Sequence, residues 1–172
     1  MKKKTLSSYY IMVMVFCQLF LFVGPVFAIN REQEINIVSK CDDIKKSLRE
    51  LQKNDSIARN YLGNHYENIL NKYMIPLNSG LIKNSISIPN VDLADNQIRF
   101  KVAKNEFAGD YTEYQKRLEE LLQIQCDKNP FGFYDKLTET RTARDKVYQD
   151  TLTLSGILSD HERLVTLLRS NL

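Results

Sequence analysis

The chain has 172 residues, with 24 Lys and Arg against 21 Asp and Glu, two histidines, three cysteines and no tryptophan. Its excess of positive charge lies in Lys2, Lys3 and Lys4, and without residues 1–28 the remainder carries 21 residues of each sign. A neutral chain lacks the field that supplies most nucleic-acid affinity, which argues against a nucleic-acid partner.

The first predicted element is a targeting segment. The three lysines are followed by an apolar run from Tyr9 to Phe22, then by Gly24, Pro25, Val26, Phe27 and Ala28. That order predicts a secretory signal over residues 1–28: Pro25 stops the apolar helix, and Val26 and Ala28 supply small residues before a cut at Ile29. The alternative is an uncleaved single-pass anchor, because residues 9–28 are long enough to cross a bilayer. In either case the lysines stay inside and the rest is delivered outside. The expected location is therefore secreted, periplasmic or cell-surface, with membrane contact only through residues 9–28 if they are retained.

Residues 29–172 have the size of one domain, with five glycines and three prolines, and few breakers in such a chain predict long helices. The first helix is expected over about 34–74. Ile37, Cys41, Ile44, Leu48, Leu51, Ala58, Leu62, Ile69 and Tyr73 recur at helical spacing, although Asp55 and His65 occupy the same stripe. Pro76 disfavours a helical Ile75, so the helix is expected to end or kink there. Residues 78–92 read as a connection with a short extended piece at Ile86 to Ile88.

A second helix is expected over about 92–126, capped by Asn90 or Asp92, with the stripe Leu93, Phe100, Ala103, Phe107, Tyr111, Tyr114, Leu118, Leu121 and Ile124. Ala108, Gly109 and Asp110 mark a weak point in it. A third is expected over about 130–170, with Asn129 as cap and Pro130 in its first turn. Its stripe runs Phe133, Leu137, Val147, Tyr148, Leu152, Ile157, Leu158, Leu164, Val165 and Leu168. Gly156 suggests a kink, and Ser159 to Glu162 has the spacing of a capping box for a restart near Asp160.

Three such helices give an all-α fold, an elongated up-down-up three-helix bundle with coiled-coil-like packing. The cysteines test the layout. The midpoint of Cys41 and Cys126 falls between Lys83 and Asn84, inside the connection, so an antiparallel hairpin folded there brings both to one end. A Cys41–Cys126 disulfide follows, in an exported chain where such bridges persist.

The residues for catalysis are sparse. His65 and His161 lack the spacing of a helical zinc site, no Gly-x-Ser-x-Gly elbow is present, and neither is a phosphate-cradling glycine loop. The expectation is a non-enzyme with no metal and no cofactor. Phe107, Tyr111, Tyr114, Phe131, Phe133, Tyr134 and Tyr148 read as core aromatics. Leu81, Ile82, Ile86, Ile88 and Val91 crowd the far-end connection; they either cap the core or form an exposed tip for a partner.

Tyr111, Tyr114, Leu118, Leu121, Leu122 and Cys126, followed by Pro130, Phe133, Leu137, Arg141, Arg144, Val147 and Asp150, resemble a pattern in uncharacterised exported helical proteins of small-genome, host-attached bacteria. The likeness covers roughly Cys41 to Leu152. It implies a cysteine opening the first helix that pairs with one closing the second, and it implies no activity. The functional expectation is an envelope or extracellular interaction or spacer module with an unidentified protein partner. The alternative is a periplasmic holdase-type chaperone.

Overall fold

The structure, a computed structural model, describes residues 30–86 and 91–171. The segment expected to be a signal or anchor lies outside them, as do Ile88 and most of the expected extended piece. No helix of the described residues is long and apolar enough to cross a membrane. The chain divides after Arg31, and the unit from Glu32 onward contains the long helices of the described residues.

The described residues form a helical bundle without strands: α1 (Arg31–Ser39), α2 (Cys41–Ile69), a π-helical turn (Leu70–Met74), α3 (Ile75–Lys83), α4 (Leu93–Gln123) and α5 (Pro130–Ser170). The caps anticipated from sequence are in place. Asp92 Oδ1 accepts from the Asp95 amide at 2.8 Å, and Asn129 Oδ1 accepts from the Gly132 amide at 3.0 Å, with Pro130 in the first turn of α5 where its missing N–H is not needed.

Helix α4 is the spine. Leu93, Asn96, Phe100, Ala103, Phe107, Tyr111, Tyr114, Leu118 and Leu121 are all buried, each three or four residues from the next. This is the seam spacing of a coiled coil, and it holds α5 along its length and α2 over part of it. The place left open in the apolar stripe between Leu93 and Phe100 is filled by Asn96. Its Nδ2 donates to the Ile157 carbonyl at 3.2 Å, and its Oδ1 accepts from His161 Nδ1 at 3.0 Å. Burial holds the His161 imidazole below its usual range, so the neutral ring is the form that fits.

The first helix corrects the sequence reading. It does not end at Met74, because the π turn passes directly into α3 and Pro76 sits in the first turn of α3, where a proline is tolerated. The buried side chains explain the wide turn. Tyr66, Leu70, Met74 and Asn78 follow one another at intervals of four, whereas Tyr73 is exposed. On a regular α-helix each such step drifts by about 40° around the axis, and one wider turn brings the set back to one face. Tyr66 then packs edge-on against Phe100 and Phe107, with ring centroids 6.0 and 5.7 Å apart.

Neither glycine interrupts its helix. Helix α5 runs unbroken through Gly156 and Asp160, held on either side by buried Leu154, Ile157 and Leu164, and α4 runs unbroken through Gly109. Along α5, Leu154 and Thr140 are buried, while Leu152 and Tyr148 of the expected stripe are exposed. Phe131 is also exposed, so the aromatics are core only in part.

Cys41 and Cys126 are joined in a disulfide with Cα atoms 5.6 Å apart, Cys126 being fully buried. The bridge ties the start of α2 to the loop after α4 across 85 residues of sequence. A bridge closing so long a loop removes about 4–5 kcal/mol of freedom from the unfolded chain. Reduction is expected to lower the melting temperature by roughly 10 °C or more. Thermal melts with and without reductant check this, and an unmoved transition contradicts it.

Candidate functional site

The outer helices α2 and α5 both lean on α4 but not closely on each other. No Cα atom of α2 comes within 8 Å of one in α5. Between them lies an open groove of about 330 Å³ whose floor is α4. Phe107, Tyr111 and Tyr114 form the floor; Leu62 and Val147 face it from the two walls. Tyr148 on the α5 wall is 58 % exposed and stands at the groove unpacked.

One end of the groove is closed by a polar clasp. Asp55 of α2 accepts from the Tyr114 hydroxyl of α4 at 2.7 Å through Oδ2. The same oxygen accepts from Arg144 Nε of α5 at 2.8 Å, and Oδ1 accepts from a second guanidinium nitrogen at 3.1 Å. A two-pronged Arg–carboxylate contact is the strongest form such a pair takes. It is the point where one side chain binds all three long helices. Burial works to raise the Asp55 carboxyl, but the hydrogen bonds from Arg144 and Tyr114 and the guanidinium charge outweigh it and hold the acid below its usual range. Tyr114 is driven well above the ordinary phenol range, by burial first and then by its bond to Asp55 and that carboxylate's charge.

Arg59 forms the α2 side of the same end. Its guanidinium carbon lies 5.1 Å from the centre of the Tyr111 ring, within cation–π range. Tyr111 meets Tyr114 edge-on at 5.9 Å, and its hydroxyl accepts from Gln115 Nε2 at 2.7 Å. Among the described residues Arg59 makes no ion pair. The groove therefore offers an apolar and aromatic floor edged by the Arg59 cation, which pairs with no carboxylate among the described residues, and by Asp145 on the α5 wall.

The residues singled out from sequence are placed as follows. The far-end set is largely taken up by the core: Leu81, Ile86 and Val91 pack with Leu77 against buried Leu93, Leu164 and Leu168. Asn78 secures the same end, its Nδ2 donating to the Leu93 carbonyl at 3.0 Å. Ile82 alone of the described tip residues stands out, at 75 % exposure. His65 is exposed and stacks on Tyr61, in a setting unlike that of His161. No group of three or more His, Cys, Asp or Glu side chains among the described residues is arranged to hold a metal ion.

The groove itself escaped the sequence reading, although one signal pointed to it. Asp55 lies on an apolar stripe, and a carboxylate there must find partners inside the bundle. Its partners are 59 and 89 residues away, which no local spacing reveals. Comparison with protein-family models, with curated proteins and with solved structures found no match.

Replacing Asp55 by Ala strands Tyr114 and Arg144 and is expected to destabilise the fold by about 1–3 kcal/mol, with Tyr114→Phe costing about 1 kcal/mol. Combined with Arg144→Ala, Asp55→Ala is expected to be clearly sub-additive in denaturant melts; strict additivity contradicts the clasp. The acid limb carries a second signature. A carboxyl held low in the fold contributes fully above its unfolded value of about 3.9 and is lost as pH falls through the lower folded one. Stability of the Asp55→Ala protein should accordingly fall less steeply than wild type below about pH 4.

Proposed function

We propose that this chain is an exported, non-catalytic helical module that presents the groove between α2 and α5 to a protein partner in the cell envelope or outside the cell. In this reading residues 1–28 are its secretory signal, and residues 29–172 form an elongated up-down-up three-helix bundle. The observation that carries the proposal is the composition of the groove: tyrosines and arginines over an apolar floor, beside a clasp that fixes the walls. Buried tyrosine and arginine anchors are the residues on which protein interfaces concentrate their binding energy.

The groove also favours one kind of occupant. Its volume suits one or two apolar side chains rather than a whole helix, and Arg59 calls for a neighbouring carboxylate. The fitting partner is a polypeptide segment with an aromatic or branched side chain next to an acidic residue. Asp55 supports a structural rather than a chemical role, because both of its oxygens are committed to neighbouring helices. The disulfide supports an oxidising compartment, in keeping with the lysine-led signal.

A holdase is the second reading, favoured by the apolar side chains Ile57, Ile98 and Val102 exposed on the outer surfaces of α2 and α4. A photo-crosslinking residue at Tyr148 in intact cells separates the two. The expected result is one specific protein adduct that Arg59→Glu abolishes. A smear of unrelated clients favours the holdase, and no adduct at all contradicts the groove as a partner site. The intact mass of the exported protein under non-reducing conditions is expected to match a chain beginning at Ile29; a mass that retains residues 1–28 contradicts cleavage and favours the anchor.

A further inference from the structure

The charged side chains that line the groove are Asp55 and Arg59 from α2 and Arg144 and Asp145 from α5. Asp55 and Arg144 neutralise each other, because both Asp55 oxygens accept from the Arg144 guanidinium. That pairing leaves the other two unmatched. Asp55 stands four residues before Arg59, at the spacing of a helical ion pair, but it is turned toward α4 and α5. Arg144 stands beside Asp145 in sequence, but it is turned toward α2. Arg59 and Asp145 are both exposed, and neither makes an ion pair among the described residues. The groove is thus neutral as a whole yet divided, with a cation on the α2 wall, an anion on the α5 wall and an apolar floor between them.

A side chain seated on that floor excludes water from both walls. A charge that loses water without gaining a counter-charge opposes binding, whereas one that meets an opposite charge does not. A partner that brings only an acid to Arg59 therefore leaves Asp145 uncompensated. Tyr148 points to the same need, since it lies three residues after Asp145 and lines the groove with its ring exposed. Tyr111 already has the Arg59 guanidinium over its face, but Tyr148 has no such cation among the described residues. A lysine or arginine brought to the α5 wall meets an anion and an aromatic face together.

We propose that the groove selects a polypeptide segment in which an aromatic or branched side chain lies between an acidic residue, which meets Arg59 on the α2 wall, and a basic residue, which meets Asp145 on the α5 wall. This rests on the reading of the groove as a protein-partner site and adds the base to what the partner must carry. Charge complementarity on both walls then sets which way the segment lies across α4, and a partner with like charges on both sides of the apolar residue is rejected by one wall.

The test is an NMR titration of the native protein, disulfide intact, with short synthetic peptides blocked at both ends. Their cores are Gln-Phe-Gln, Glu-Phe-Gln, Gln-Phe-Lys and Glu-Phe-Lys in one neutral frame, and the amides of Tyr111, Tyr148 and Thr151 report on the groove. All four are expected to shift these amides, with Glu and Lys each tightening binding by about threefold to tenfold over Gln, and with both gains shrinking as salt is raised. Arg59→Gln should remove the gain from Glu and keep the gain from Lys, while Asp145→Asn should do the reverse. Both positions are exposed and both replacements keep the shape of the side chain or its polarity, so unchanged spectra away from the groove confirm that the variants fold. Binding that is indifferent to Lys, or a gain from Lys that survives Asp145→Asn, overturns this proposal and leaves the groove as a partner site. Failure of every peptide to move the groove amides contradicts the partner site itself, and this proposal with it.

Discussion

A single carboxylate governs how the long helices are arranged around the groove. The backbones of α2 and α5 stay apart, so direct packing of one on the other does not set the relation between them. Asp55 does so instead, reaching Tyr114 on the helix between them and Arg144 on the far one. Arginine is suited to the task because its planar fork engages both oxygens at once and stays charged at any pH the protein meets. With the disulfide fixing one end of the bundle and the Leu93, Leu164 and Leu168 cluster closing the other, the Asp55 clasp fixes the middle. The space left between the outer helices is the groove, and the functional proposal rests on it.

The polar side chains inside this bundle act mainly to specify its register. Apolar seams tolerate sliding by a turn, whereas a buried amide that must meet one particular carbonyl does not. Asn96 meets the Ile157 carbonyl and His161, while Asn78 meets the Leu93 carbonyl. Together with Asp55 they form three polar stations along the helices, each joining residues distant in sequence. Leaving any of them unpaired within the bundle would be costly, so a slipped alignment is penalised at several points simultaneously.

The all-α character and the disulfide were legible in the sequence because both follow from simple regularities. The stripe of α4 repeats at three and four, and the two cysteines flank a connection at equal distances. The helix caps at Asp92 and Asn129 were legible for a similar reason, since capping chemistry is local. What escaped notice depends on contacts across the fold. Pro76 reads as a stop unless Leu70 and Met74 are known to be buried, and Gly156 reads as a kink unless Leu154 and Ile157 hold the helix on either side. Asp55 announced itself as a charge on an apolar face, but Arg144 and Tyr114 could be recognised as its partners only after folding. The crowded apolar tip is the clearest instance: its side chains look available in sequence, yet most of those described are packed against α4 and α5.

The claim on which the functional account turns is that Asp55 holds the outer helices at a fixed separation. Spin labels at exposed Asn60 on α2 and Gln149 on α5 measure that separation directly by pulsed electron resonance. The account predicts one narrow distance distribution in the native protein that broadens when Asp55 is replaced by Ala while the disulfide is intact. A distribution equally narrow in both proteins would show that the groove is set by something other than the clasp.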